Sequence, residues 1–210
     1  MTHENEMARD PLLTTILDID AALPGRELII GGGYGLFLKQ TQLANDGVRT
    51  LFAATQLPVA RTTEDIDWIL RAEVVTESEA MGEIRRCLDS LGFTVVETAK
   101  YTQFVREMSP GSVKVDLLAA PLGEFSHRVK KDQRRVRPKP SVKLHASKLE
   151  EAVAVERDAL RIPIAGQLSS GSRHETEILV PQAFSYLLMK LHAFRDRMND
   201  KKKDQGRHHA

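Results

Sequence analysis

Six residues, Asp65-Ile-Asp-Trp-Ile-Leu70, constrain this chain more than any others. Their period is two: Asp65, Asp67 and Ile69 project from one face of a strand, and Ile66, Trp68 and Leu70 from the other. The second face is wholly apolar and has to meet a core. The first sets two carboxylates side by side, and these repel unless a cation or a proton stands between them. Magnesium suits such a pair, because it prefers hard oxygen ligands and takes one or two carboxylates together with substrate phosphates. The plain alternative is a D-x-D at a solvated sheet edge, so the decision falls to the rest of the sequence.

Two other segments bear on it. Residues 27–30 read as a short strand that runs into Gly31, Gly32 and Gly33 and then into a helix over 34–42. A strand ending in glycines at a helix N-terminus offers free backbone N–H groups and close approach, which phosphates use. The run has neither the Lys and Ser/Thr of a Walker loop nor the glycine spacing of a dinucleotide fold. The third segment is 113–118, where Val113, Val115 and Leu117 share a face and leave Lys114 and Asp116 on the other. Asp116 can complete a triad with Asp65 and Asp67. Such a triad holds two metal ions about 4 Å apart, and Asp116 is then also the candidate general base.

Along the chain, Asp10 and Pro11 read as an N-cap and first helical residue, followed by Leu12, Leu13, Ile16, Leu17 and Ile19 at helical spacing as far as Pro24-Gly25. Residues 44–60 show no period and read as a long loop or lid. Thr76 and Glu79 match a capping box for a helix that stops at Gly92. The runs 93–97, 101–106 and 113–118 read as a β-meander. Further on, the sequence predicts a helix over 147–157 and an exposed loop over 166–172. A final helix opens at Pro181, with Phe184, Leu187, Leu188, Leu191 and Phe194 forming a stripe that packs on the core. The fold class is mixed α/β: a short mixed sheet with the aspartates on one face, helices on the other, and a C-terminal helical part.

Composition narrows the setting. Lys and Arg number 30 against 29 Asp and Glu, so no global field draws the chain to nucleic acid. The one strongly basic stretch is 127–143, which could receive an RNA backbone, although no aromatic residues are interleaved for base stacking. Cys87 is the only cysteine, which excludes a disulfide framework and a thiolate cluster. It has no evident His partner to make it a nucleophile. His192, His208 and His209 match no zinc spacing. No segment approaches the roughly 20 apolar residues of a membrane span, and the N-terminus lacks the features of a secretory signal. A cytoplasmic protein without a membrane partner is expected. No stop signal follows Gly206, which leaves room for the native chain to extend beyond Ala210.

Three islands occur in order: Ile29-Ile-Gly-Gly-Gly-Tyr-Gly-Leu-Phe-Leu38, then Arg61-Thr-Thr-Glu-Asp-Ile-Asp67, then Val113-Lys-Val-Asp116. Together they resemble the DNA polymerase β-like nucleotidyltransferases, most closely the AbiEii-type toxin group. Leu188-Met-Lys-Leu-His-Ala-Phe-Arg-Asp-Arg197 with Lys203-Asp204 resembles the helical motif that follows the core in that group. The resemblance covers roughly residues 26–205 and implies a nucleotidyltransferase core over 26–145, preceded by a covering helix within 1–25 and followed by a helical part over 146–210. It implies an enzyme that moves an NMP from an NTP to an acceptor hydroxyl, with Asp65 and Asp67 binding both of two Mg2+ ions and Asp116 binding the catalytic one.

Gly32 and Gly33 would contact the triphosphate, and Lys190 and Arg197 would face the nucleotide. Arg61 and Thr63 would reach the triphosphate or brace the carboxylates. Tyr34 stands where many members carry a small or hydroxyl residue, and its ring could reshape the phosphate site or stack on a base. The acceptor stays open among RNA or tRNA, a protein side chain and a small molecule of the aminoglycoside kind, and a catalytically inert nucleotide or RNA binder on the same fold is the other reading. A cognate antitoxin protein is a further expected partner.

Overall fold

The computed structural model describes residues 10–48, 65–99, 101–108, 111–132 and 134–207, with the backbone alone for residues 131, 196, 197 and 199–207. The expected loop or lid over 44–60 falls mostly outside these residues, as do Arg61 and Thr63.

Helix α1, Pro11–Ala22, starts as its sequence dictates: Asp10 caps it by accepting from the Leu12 amide at 2.8 Å, and Pro11 fills the first position. Strand β1 is only Ile29–Ile30, and helix α2, Gly32–Asn45, begins on the glycines themselves. Strand β2 is Asp65–Leu70, as its alternation requires. A short helix α3, Ala72–Thr76, precedes α4, Ser78–Ser90. This corrects the expected capping box. Thr76 ends α3, its hydroxyl donating to the Glu73 carbonyl at 2.9 Å, and the cap of α4 is Glu77. Gly92, at φ +79, follows the end of α4 as predicted.

Strands β3 (Thr94–Val95), β4 (Gln103–Glu107) and β5 (Ser112–Ala119) form the expected meander, with β3 shorter than its apolar run suggested. Strands β6 (Lys130–Lys131) and β7 (Arg135–Arg137) pair as a hairpin within the basic stretch. The helix expected over 147–157 is absent. Ala146–Lys148 is instead strand β8, joined to β5 and β7, and turns follow it. The loop over 166–172 is the tip of a hairpin of two eight-residue strands, β9 (Leu160–Gln167) and β10 (Arg173–Val180). Much of the region expected to be helical from residue 146 on is therefore strand, and helix α5, Ala183–Arg207, closes it.

The ten strands of the described residues belong to one mixed sheet, longer than the short one expected. Its order is β6-β7-β8-β5-β2-β1-β10-β9, with β4 on the other half of β5 and β3 on β4. Strand β2 lies between β1 and β5. One sheet face meets α1 and α4 over the main core, where Ile16, Ile66, Ile84, Phe104 and Val115 are buried. The other carries a smaller cluster of Ile29, Ile69, Ala152, Val155 and Leu179, against which Met189 of α5 packs. No helix among the described residues is long and apolar enough to cross a membrane.

The stripe expected to seat α5 on the core is not what seats it. Ser185 and Tyr186 are buried, whereas Phe184, Leu187, Leu191 and Phe194 are exposed. The wheel was read with the right period and the wrong face inward.

Candidate active site

The parallel pairing of β2 with β5 sets Asp67 directly beside Asp116, and Asp65 beside Lys114. Neighbouring strands lie about 4.8 Å apart, so paired residues on one face are in reach of each other. In both strands the alternate residues face the main core, Ile66 and Trp68 in β2 and Val115 and Leu117 in β5. The three aspartates therefore share the opposite, half-buried face. Antiparallel β4 extends the row, since Gln103 pairs with Asp116 and its side chain hydrogen-bonds the carboxylate.

The glycine turn closes against the same row. The Gly31 amide donates to the Asp67 carbonyl at 2.8 Å. Gly32 sits at φ +59, and a Cβ there would fall 1.7 Å from Asp67 Oδ2. No other residue type meets both demands. Because Gly31 supplies no side-chain cap, the first-turn amides of α2, which have no acceptor within the helix, are left beside the Asp67 carboxylate.

Electrostatics follow from this packing. The Asp116 carboxyl is pushed up to about 6, chiefly by burial, then by the charges of Asp67 and Asp65, with Gln103 and Lys114 opposing. Its Oδ1 is buried with no hydrogen-bond partner. Burial and Asp65 also raise Asp67, and Lys190 lowers it. Lys114 Nζ stands 3.3 Å from Asp65 Oδ1. The face is thus crowded with negative charge and short of donors. Among the described residues no group of three or more His, Cys, Asp and Glu side chains is placed so that it could by itself hold a metal ion.

The other predicted residues divide. Gly32 and Gly33 stand in the first turn of α2 at the row, and Lys190 is exposed on α5 with its charge felt at Asp67. The side chain of Arg197 lies outside the described residues. Tyr34 is a correction. It is 4 % exposed, its ring belongs to the main core, and its hydroxyl donates to Asp10 at 2.5 Å, so it shows no face to a base. The residue that can shape this end of α2 is Tyr186, which the sequence reading passed over. Its hydroxyl is buried without a partner, lies 2.4 Å from where a Gly35 Cβ would stand, and is raised in pKa by burial and by Asp67. Gln103 was also missed, although its alternation with buried Phe104 places it on the carboxylate face.

Comparisons with protein-family models, curated proteins and solved structures return no match to this chain.

Proposed function

We propose that the chain is a metal-dependent nucleotidyltransferase built on a minimal nucleotidyltransferase core. The observation that carries this reading is the contact of Gly32 with Asp67: a phosphate-type glycine turn and a three-carboxylate row are packed so tightly that a methyl group cannot come between them. The donor set fits magnesium. It is all hard oxygen, and one oxygen of Asp116 is buried and unsatisfied; phosphate oxygens would supply the remaining ligands. Asp65, Asp67 and Asp116 would hold the metal, which when bound supplies neutralisation of the triphosphate and a lowered pKa at the acceptor hydroxyl.

The chain's own residues do the rest. The first-turn amides at Gly32 and Gly33 hold phosphate oxygens, and Lys190 offsets charge that builds on the leaving group. The acceptor oxygen bonds to the α-phosphorus in line with the breaking bond to the β-phosphate, and pyrophosphate leaves. The acceptor proton passes to Asp116, the carboxylate placed beside Asp67 in the row.

For the acceptor we favour RNA. On the edge hairpin β6–β7, Lys130 stands directly opposite Arg137, both exposed. Like charges placed opposite one another cost stability until an anion lies across them. The test is incubation with each α-labelled NTP, magnesium and total tRNA. Label should move to RNA with wild type and not with Asp67→Asn, and transfer should weaken steeply with salt. Transfer to a small acceptor, unaffected by salt, would replace the RNA reading. NTP binding without any transfer would make the protein an inert nucleotide binder, and no NTP binding would remove the proposal altogether.

A further inference from the structure

Helix α5 has two faces of opposite use. Ser185 and Tyr186 are buried beneath it, Met189 packs on the core, and the Ser185 hydroxyl donates to the Val153 carbonyl at 3.1 Å. On the far side Phe184, Leu187, Leu191, Phe194 and Met198 leave 60, 59, 56, 62 and 44 % of their surface exposed. Their spacing runs three, four, three, four. That is the 3.5-residue period of a coiled-coil seam, kept over four turns of one helix. Single exposed apolar residues are ordinary, but a contiguous stripe of five large ones marks an interaction surface.

The flanks say what kind of partner covers it. Lys190 and Arg195 border the stripe on its two sides and are both exposed. Over its whole length α5 carries seven Lys and Arg against three Asp. A second copy of the same helix would bring cations against cations at the flanking positions, where coiled coils choose their partners by charge. A helix with apolar residues at the matching spacing and carboxylates beside them would meet both the stripe and its rim.

We propose that the outer face of α5 is a docking surface for an acidic amphipathic helix of another protein. The stripe points away from the face that carries Tyr186 and the core contacts, and of its borders only Lys190 is shared with the proposed nucleotide site.

The probe is a fluorescent four-heptad peptide with Leu and Ile at the seam and Glu at the flanks, and its counterpart with Lys at the flanks, titrated into the full chain by anisotropy. The Glu peptide should bind in the micromolar range and weaken roughly tenfold as salt rises from about 0.05 to 0.5 M. The Lys peptide should bind at least tenfold more weakly. Leu187→Glu with Leu191→Glu should abolish binding and leave the thermal melt unchanged, because both side chains already face water. Arg195→Glu, which removes no apolar surface, should lower affinity for the Glu peptide and raise it for the Lys peptide. The proposal is overturned by no binding, by equal binding of both peptides, or by sedimentation showing that the chain alone forms a dimer that Leu191→Glu dissociates, since the occupant would then be a second copy.

Discussion

Two groups of carboxylates sit inside this protein, and they are treated in opposite ways. Asp18, on α1, is 6 % exposed and fully served: Arg106 Nη1 donates to it at 2.9 Å, and the Ser169 amide and hydroxyl at 2.9 and 2.5 Å. Arg106, itself 8 % exposed, also donates to Thr15 at 3.0 Å and lies over the Phe93 ring. The network ties α1, β4 and the β9–β10 turn together. Asp116, in the neighbouring strand β5, keeps an oxygen with no partner and faces the like charge of Asp67. A buried charge that folding alone has satisfied is structural. One that folding leaves unsatisfied beside another of its own sign marks a candidate functional site.

The contrast can be broken by substitution. Asp67→Asn or Asp116→Asn should cost roughly 1000-fold or more in nucleotidyl transfer while the melting temperature holds or rises, since each relieves repulsion. Loss of stability in either variant would make the row structural. Asp18→Asn should do the reverse. Leaving Arg106 buried without its counter-charge costs about 3–5 kcal/mol, visible in urea unfolding, with transfer per folded molecule retained. Gly32→Ala tests the join between turn and carboxylate. Displacing Asp67 by an ångström or so should lower transfer roughly 100-fold, and the positive φ adds a stability loss of more than about 1 kcal/mol.

The smallest effect is one of pH. Asp116 moves from an ordinary 3.8 to about 6 on folding, so between these values the folded chain holds more protons than the unfolded one. The contribution of Asp116 to stability should therefore fall as pH rises through about 4 to 6. Asp116→Asn should flatten that slope. At pH 7, magnesium should raise the wild-type melting temperature by about 2–4 °C and leave Asp67→Asn where it was.

The parts of this site that lie in regular alternation were legible from residues alone. Asp65, Asp67 and Asp116 follow from two strands whose apolar partners had to point the other way, and the structure puts them in one row. Helix α1 was equally plain, because a cap, a proline and an apolar period agreed. What failed were choices that depend on distant partners. Residues 146–148 form a strand only because β5 and β7 flank them, and a three-residue strand has no period of its own. In β9, Pro163 speaks against a strand until the strand is known to be at the sheet edge, where a missing amide does no harm. On α5 the apolar stripe was found, but a stripe cannot say which body it faces. Tyr34 was misplaced for a similar reason: it stands at the glycine turn, and only packing shows its ring turned into the core beside Asp10, where Tyr186 is buried as well.

Strand β1 has a consequence for motion. It is two residues long and meets β10 at a single register pair, Ile29 with Leu179, so the β9–β10 hairpin joins the rest of the sheet through a narrow seam. The glycine turn follows that seam at once. Within the sheet this seam is the thinnest joint, and α1 backs it, with Asp18 and Asp20 holding Ser169 and His174 of the hairpin. An opening there would leave the glycine turn on β2, where the Gly31 amide holds the Asp67 carbonyl, so the boundary between the two halves of the sheet falls behind the turn and not through it, and amide exchange at Leu179 should outpace exchange at Gly31.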